Sequence, residues 1–192
     1  MQSEDRQKKW QQRYLDATVE APRASGVLAD NTFLLPKQGQ ALDLACGRGG
    51  NALLIARCGL QTEGWDYAPA AIDTLNRFAK DERLPLKGVV RDVEKFPPEP
   101  CSFDVMTVAY FLDRAIIPAL KRALRPGGLI FYETWLRDAL DDCGPSKEEF
   151  RLAQNELLHM FIDLQVLSYQ EHGLAGDPSQ GIRNVARLIA RA

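Results

Sequence analysis

The residues with the clearest chemical potential lie in a glycine-rich turn. Gly47, Gly49 and Gly50 occupy three of four consecutive positions, directly after the apolar stretch 42–45. A helical pattern over residues 52–57 follows at once. Glycine has no Cβ, so the backbone of such a turn can approach a ligand closely. A strand that ends in a glycine turn and continues as a helix is typical of a nucleotide-binding site.

Three aspartates are suited to hold a nucleoside beside this turn. Asp43 lies inside the strand ahead of the turn, where a charge is costly unless it has a partner. Asp66 ends the next predicted strand, and a carboxylate there can accept hydrogen bonds from both ribose hydroxyls. Asp92 follows a third predicted strand, where it can accept from the exocyclic amine of adenine, with Val93 beside the ring. Each aspartate also has a purely structural interpretation as a cap of nearby backbone amides.

Two kinds of nucleotide fit the glycine turn. The spacing Gly47-x-Gly49-x-x-Ala52 matches the relaxed dinucleotide fingerprint, which predicts an NAD(P)-dependent reductase. S-adenosylmethionine is the alternative, because Asp43 can pair with its ammonium group but would repel a pyrophosphate. Asp66 suits both ligands. Since the sequence contains no Tyr-x-x-x-Lys pair, we favour S-adenosylmethionine.

The elements that must position these residues alternate along the chain. Hydrophobic periodicity predicts an N-terminal helix over 3–16 and a short one over 24–35. The motif Arg125-Pro126-Gly127-Gly128 is expected to break the chain before the fifth strand. Strands are predicted at 40–45, 61–66, 86–91, 103–109 and 128–134, and helices at 50–58, 69–82 and 113–124. This alternation indicates a parallel sheet with helices on both faces.

The pattern changes after residue 145. Ser146 and Glu149 form a capping box, which predicts a further helix with an apolar stripe that reaches Phe161. Two strands are predicted beyond it, over 162–170 and 182–191, joined by a loop too short for a crossover helix. These strands are therefore expected to pair as an antiparallel hairpin.

Taken in order, these motifs resemble those of the class I S-adenosylmethionine-dependent methyltransferases. The resemblance spans most of residues 10–191, and Ala45 stands where many relatives carry the first glycine of the turn. It implies an α/β, Rossmann-like sheet of seven strands in the order 3-2-1-4-5-7-6, with the last strand antiparallel. The segment around Trp10 is more loosely similar to the small-molecule methyltransferases of the tellurite-resistance and thiopurine type. The resemblance rests on the segments 42–49, 64–66, 91–93, 103–105 and 124–128.

The resemblance also implies where ligands bind. We expect a single domain over 1–192, with residues 1–35 as an N-terminal helical lid and residues 36–192 as the sheet core. The expected cofactor-binding residues are Asp43, Ala45, Gly47, Gly49, Asn51, Asp66, Tyr67, Asp92, Val93 and Ala109. The expected acceptor-binding residues are Trp10, Arg13, Tyr14, Tyr110, Trp135 and Arg183, and we expect Arg13 or Arg183 to orient an anionic acceptor. The segment 133–135 after the fifth strand is expected to complete that pocket.

The expected activity is in-line transfer of a methyl group to a small-molecule acceptor, such as a thiol, a metalloid anion or a small metabolite. Holding the reacting atoms in line is the main requirement, and a soft nucleophile needs no general base. No residue stands out as a base, so the catalytic residue is unassigned and a non-catalytic S-adenosylmethionine-binding regulatory module is an alternative. The end of the fourth strand, 109–112, lacks the Asn/Asp-Pro-Pro-aromatic motif of nucleic-acid amino-methyltransferases.

Composition narrows the remaining possibilities. A formal net charge of −2 does not favour a nucleic-acid partner. With two histidines and no Cys-x-x-Cys spacing among the four cysteines, we expect no metal site. No targeting segment or long apolar run is evident, so we expect a cytoplasmic protein with reduced thiols, without membrane association, as a monomer or homodimer.

Overall fold

The computed structural model describes residues 3–16 and 22–192. The helices are α1 (Ser3–Asp16), α2 (Gly26–Ala29), α3 (Gly50–Arg57), α4 (Pro69–Asp81), α5 (Ile117–Ala123) and α6 (Glu156–Met160). The strands are β1 (Gln40–Leu44), β2 (Gln61–Asp66), β3 (Leu86–Val90), β4 (Phe103–Ala109), β5 (Leu124–Trp135), β6 (Gln165–Gln170) and β7 (Val185–Arg191). Short 3-10 turns cover Thr32–Leu34, Arg114–Ile116 and Glu148–Phe150.

The strands form one seven-stranded sheet in the order β3-β2-β1-β4-β5-β7-β6. Strands β1 to β5 pair in parallel, whereas β7 runs antiparallel to both β5 and β6. The predicted strand order and the predicted C-terminal hairpin are therefore confirmed. Strand β1 lies between β2 and β4, so the chain leaves β1 at the point where the order of the sheet reverses.

The predicted break at residues 125–128 is wrong, because strand β5 already begins at Leu124. The backbone of Gly127 and Gly128 exchanges hydrogen bonds with Ala192 at the C-terminus, at 2.8 and 2.9 Å. These bonds keep the Pro-Gly-Gly segment in the sheet as an irregularity, with a register shift between Phe103 and Val105 on β4. The helix predicted over 113–124 is correspondingly shorter, although Asp113 caps its first turn as expected.

The helix predicted from the Ser146/Glu149 capping box is also wrong. Residues Glu148–Phe150 form only a 3-10 turn, and the helix α6 starts at Glu156. Tertiary contacts occupy backbone carbonyls that a helix would use, since Arg114 donates to those of Glu149 and Arg151 at 2.5 and 3.0 Å. A local helix propensity is lost to these charge-assisted bonds.

The helix predicted over 24–35 is interrupted after Ala29. The Asn31 side chain donates to the carbonyl of Val27 at 3.0 Å and so replaces a helical backbone donor. The chain continues as the 3-10 turn Thr32–Leu34. This bend keeps α2 short and lays it against β5 and β7.

Helix α4 packs onto the sheet through Leu75, which is fully buried. The side chain fills space left by two glycines: a Cβ at Gly49 would lie 2.2 Å from Leu75 Cδ1, and a Cβ at Gly64 would lie 2.6 Å from Cδ2. Leu75 thereby joins α4, β2 and the turn after β1 into one packed unit. Gly49 of the turn is thus required for packing, because a side chain there would collide with Leu75.

Replacing Leu75 by alanine is expected to destabilise the fold by about 2–5 kcal/mol, because the glycines on the opposite side cannot fill the cavity. The free energy of unfolding from urea titration measures this cost. Arg77→Ala, at an exposed position of the same helix, is the matched control and should change stability by less than about 0.5 kcal/mol. Equal effects of the two substitutions would contradict the role assigned to Leu75.

Candidate functional site

The predicted site residues gather at the carboxyl ends of β1, β2 and β4, where the strand order reverses. In open α/β sheets this crevice is the usual place for a ligand. The turn after β1 forms its floor: Ala45, Gly47 and Gly49 all have positive φ, at 53°, 54° and 82°. Alanine adopts this conformation at a cost of about 1 kcal/mol, which accounts for the preference for glycine at this position.

Asp43 supports the turn from within the sheet. Its carboxylate accepts hydrogen bonds from Thr107 Oγ1 at 2.9 Å and from the Ala52 amide at 3.0 Å. Asn51 Nδ2 lies 3.5 Å from the same carboxylate, and Asn51 Oδ1 accepts from the amide and hydroxyl of Ser25 at 2.8 and 3.0 Å. Burial raises the pKa of Asp43 to about 7. Asp43 therefore connects β1, β4, α3 and the N-terminal segment.

Asp66 closes the turn on its other side. One carboxylate oxygen accepts from the Gly47 amide and the other from the Ala68 amide, both at 2.9 Å. Ala68 is the N-cap residue of α4, so Asp66 fixes the residue that precedes the helix, but it accepts from no amide of the helix itself. The side chain is buried, which raises its pKa. A carboxylate has lone pairs beyond the two used here, so Asp66 retains the capacity to accept from a ligand.

Helix α1 lies over this end of the crevice. Gln7 Nε2 donates to the Tyr67 carbonyl at 2.7 Å, and Gln11 Oε1 accepts from the Ala70 amide at 2.9 Å. A Cβ on Gly47 would lie 2.8 Å from the hydroxyl of Tyr14, whose pKa is raised by burial and by Asp66.

Two further predicted acceptor residues accompany Tyr14 on α1. Trp10 stacks on Tyr14 with ring centroids 5.9 Å apart, and the Arg13 guanidinium lies 4.8 Å from the Trp10 ring. Helix α1 thus brings Trp10, Arg13 and Tyr14 beside Gly47 and Asp66.

The opposite end of the crevice is formed by the ends of β4 and β5. Ala109 pairs with Glu133, and Tyr110 follows with a positive φ of 57°. The Tyr110 hydroxyl donates to Glu133 Oε1 at 2.7 Å, and its ring lies 5.1 Å from that of Trp135. Glu133 is buried and forms an ion pair of 2.6 Å with Arg187. The sequence spacing of Glu133 and Arg187 does not predict their ion pair. A charged residue such as Glu133 in an apolar strand does, however, indicate that a partner is required.

Asp92 and Val93 lie beyond the end of β3. The Asp92 carboxylate accepts from the Glu94 amide at 3.2 Å and pairs with Lys95 at 3.0 Å, which matches its structural interpretation as a turn cap. Val93 is buried in the core that also contains Trp65.

Arg183 is directed to its own loop. Its guanidinium donates to the carbonyls of Gly173, Ala175 and Gln180 at 2.8, 2.6 and 2.6 Å, and to that of Asp177. The structure therefore does not bring Arg183 into contact with the other predicted acceptor residues.

Within residues 3–16 and 22–192, no group of three potential metal ligands converges. No helix in the same part of the chain is both long and apolar enough to cross a membrane. All four cysteines are free thiols. Cys46, in the turn, is enclosed, and burial raises the pKa of its thiol.

Comparison with known proteins agrees with this geometry. Residues 41–128 match the family described as "Methyltransferase domain". The chain is 30% identical over 105 residues to a ubiquinone biosynthesis O-methyltransferase of Idiomarina loihiensis, covering 52% of this chain and 43% of the relative. It is 29% identical over 138 residues to Hemagglutinin 1 of Eikenella corrodens, covering 69% of this chain and 46% of the relative. The chain thus spans less than half the length of these curated relatives.

Solved structures share the fold. TehB from Haemophilus influenzae superposes with a TM-score of 0.72 at 23% identity, covering 95% of this chain and 66% of that one. Geranyl diphosphate C-methyltransferase from Streptomyces coelicolor A3(2), in complex with S-adenosyl-L-homocysteine, gives a TM-score of 0.65 at 18% identity, covering 85% and 73%. The strand order is that of the class I S-adenosylmethionine-dependent methyltransferases, and the methyltransferase-domain match over residues 41–128 agrees with it. S-adenosylmethionine is the cofactor of that class.

The residues of the crevice fit an adenosyl group. A Cβ at Gly47 would lie 2.8 Å from the Tyr14 hydroxyl, so the bare backbone lets Tyr14 lie directly against the turn. Asp66 borders the turn with an acceptor that suits ribose hydroxyls. The chemistry of this donor and acceptor set therefore agrees with the family.

The pKa of Asp43 predicts how stability depends on pH. Its folded-state pKa of about 7 lies above its ordinary value of 3.8, so the folded chain binds this proton more tightly than the unfolded chain. The contribution of Asp43 to stability is fully present at pH values below its ordinary pKa of 3.8, and it is lost as the pH rises towards 7. Relative to Asp43→Asn, wild type should lose up to about 4 kcal/mol of unfolding free energy between about pH 4 and pH 8.

Urea titrations of wild type and Asp43→Asn across this pH range measure the difference between their unfolding free energies. The contributions of other titrating groups cancel in this difference. Asp73→Asn, at an exposed position of α4, is the control, and its difference from wild type should be small and constant. A wild-type advantage over Asp43→Asn that does not change with pH would contradict the buried, proton-binding state of Asp43.

Proposed function

We propose that this chain transfers the methyl group of S-adenosylmethionine to a small-molecule acceptor. The observation that carries the proposal is the convergence of the glycine turn, Asp66 and helix α1 at the reversal point of the sheet. The names of its relatives, which include O- and C-methyltransferases, support the same reaction class. The net charge of −2 favours a small acceptor over a nucleic acid.

Each crevice residue has a proposed role toward the cofactor. Asp66 accepts from the ribose hydroxyls, and the backbone of Gly47 and Gly49 lets the ligand approach closely. Asn51 and Asp43 hold the turn in shape from behind. The remaining proposed cofactor contacts are Ala45, Tyr67, Asp92, Val93 and Ala109, which follow the ends of the same strands.

The cofactor supplies an electrophilic methyl group on a sulfonium. The protein is left to bind, to orient the acceptor and to exclude water. Trp10, Arg13, Tyr14, Tyr110 and Trp135 are the proposed acceptor-side residues, and Arg183 is a more distant candidate that would have to leave its loop carbonyls. A thiol, a metalloid anion or a small metabolite is the proposed acceptor, and the free cysteines fit a reducing cytoplasm.

We also propose that the N-terminal segment 1–35 acts as a lid within a single domain. The contacts of Gln7, Gln11 and Tyr14 hold α1 over the turn and over the start of α4. Two of these anchors are side-chain hydrogen bonds of Gln7 and Gln11, and each bond of this kind is worth about 1 kcal/mol.

Calorimetry with S-adenosylhomocysteine and with NADPH tests the cofactor assignment. We expect micromolar binding of S-adenosylhomocysteine alone. Asp66→Asn replaces an acceptor oxygen by a donor and should weaken binding about tenfold or more, because a charged acceptor is lost. Asp73→Asn preserves the crevice and should bind as wild type does.

Binding of NADPH without S-adenosylhomocysteine would defeat the proposal and favour a reductase. Tight S-adenosylhomocysteine binding without turnover on a panel of thiols, phenols, amines, selenite and tellurite would favour a regulatory module. Formation of S-adenosylhomocysteine from S-adenosylmethionine in that panel is the positive result.

The lid proposal is tested by the double variant Gln7→Ala with Gln11→Ala. Removing both side-chain anchors should raise the association and dissociation rate constants of S-adenosylhomocysteine by about threefold or more. Stopped-flow fluorescence measures both rates. Lys8→Ala, at an exposed position of the same helix, is the comparison variant, and unchanged rates in the double variant would exclude gating by these contacts.

A further inference from the structure

A buried ion pair lies under the acceptor end of the crevice. Glu133 on β5 pairs directly with Arg187 on β7 in the sheet register, and the side chains meet at 2.6 Å. The amide of Val27 donates to the same carboxylate oxygen at 2.9 Å, while Arg187 also contacts Asp30 at 3.1 Å. A cation and an amide therefore contact the same carboxylate oxygen of Glu133.

The second oxygen of Glu133 determines the direction of the Tyr110 proton. An ionised carboxylate is an acceptor only, so the hydrogen bond of 2.7 Å between Tyr110 and Glu133 must use the phenolic hydrogen. Burial and the Glu133 charge also raise the pKa of Tyr110, so the phenol stays neutral. The Tyr110 oxygen is left with lone pairs and no proton to offer to a ligand.

The Tyr110 ring is held in place but remains accessible. One side contacts Trp135, which is itself covered by the backbone at Gly144, since a Cβ on Gly144 would lie 2.6 Å from the Trp135 ring. Tyr110 as a whole is 50% exposed. Its positive φ of 57° is unfavourable for an aromatic residue, and such strain is concentrated at functional sites. The result is an exposed aromatic ring with a hydrogen-bond acceptor at its tip.

We propose that Tyr110 selects a methyl acceptor that carries an N–H or O–H group on a flat ring, with Glu133 as the positioning residue. The inference rests on the proposed function and narrows its acceptor class. The ring of the acceptor packs on Tyr110, and its N–H or O–H group donates to the Tyr110 oxygen. The hydrogen bond orients the acceptor, and Tyr110 is not required to take the proton.

The same geometry disfavours an anionic acceptor. An oxyanion or carboxylate would face the Tyr110 lone pairs, with the Glu133 charge directly behind them. Arg187 does not compensate, because its single positive charge is already paired with the carboxylates of Glu133 and Asp30. Among the candidate acceptors, ring amines and phenols are therefore preferred over metalloid anions.

The test measures binding of phenol, aniline and benzoate to the protein saturated with S-adenosylhomocysteine, by ligand-observed NMR titration. Phenol and aniline should bind about fivefold or more tightly than benzoate, the range expected for one hydrogen bond. Tyr110→Phe should reduce this preference to near unity and leave the affinity for S-adenosylhomocysteine unchanged. Tyr169→Phe removes a second tyrosine that donates to a glutamate, Glu171, on the distant strand β6, and should preserve the preference.

The variant Glu133→Gln distinguishes a positioning role of Glu133 from a purely structural one, because only a positioning role changes which ligand is preferred. The amide can donate to the Tyr110 oxygen, which frees the phenolic hydrogen to point at the ligand. The binding preference should then shift towards benzoate. Thermal unfolding shows whether the Glu133→Gln variant is folded. If it is not folded, the result for Tyr110→Phe alone tests the acceptor assignment.

The outcomes distinguish failure of the proposed function from failure of the acceptor assignment. Failure to bind S-adenosylhomocysteine would defeat the proposed function itself. Normal S-adenosylhomocysteine binding, with equal affinity for the three rings or with a preference that survives Tyr110→Phe, would overturn only the acceptor assignment.

Discussion

The buried carboxylate of Asp43 is the constraint on which the rest of the site depends. It lies in the middle of the sheet, where an uncompensated charge would be prohibitive. Donors from β4 and from the start of α3 compensate it, and Asn51 extends the network to Ser25. Because these donors come from separate parts of the chain, satisfying one carboxylate fixes the turn after β1 relative to both neighbouring elements.

Two further buried carboxylates, Asp66 and Glu133, lie at the two ends of the crevice and have different hydrogen-bond partners. Asp66 is held by backbone amides, so it shapes the glycine turn and the start of α4. Glu133 is held by Arg187, so its remaining oxygen orients the Tyr110 hydroxyl. Both lie at the carboxyl ends of strands, where polar groups meet the edge of an otherwise apolar sheet. This division matches the nucleoside end and the acceptor end of the proposed site.

The N-terminal part of the chain covers both ends. Helix α1 contacts the loop after β2 and the start of α4, whereas the segment at Ser25 and Val27 binds Asn51 and Glu133. The same segment packs tightly: a Cβ on Gly26 would lie within 1.8 Å of the Arg187 guanidinium. Such a cover suits a reaction that requires the exclusion of water, because polar contacts that are shielded from water are stronger.

Local sequence patterns determined the strands, their alternation with helices and the glycine turn, because period-two apolar runs and glycine positions are properties of neighbouring residues. They also identified Asp43 and Asp66, since carboxylates at strand ends are conspicuous. They did not reveal that the Ser146/Glu149 segment is not helical, or that the Pro-Gly-Gly segment at 126–128 stays in the sheet, because Arg114 and Ala192 act on these segments from elsewhere in the chain. Only the tertiary structure brought Glu133 to Arg187 and Tyr110, because strand register is set by the packing of the whole sheet.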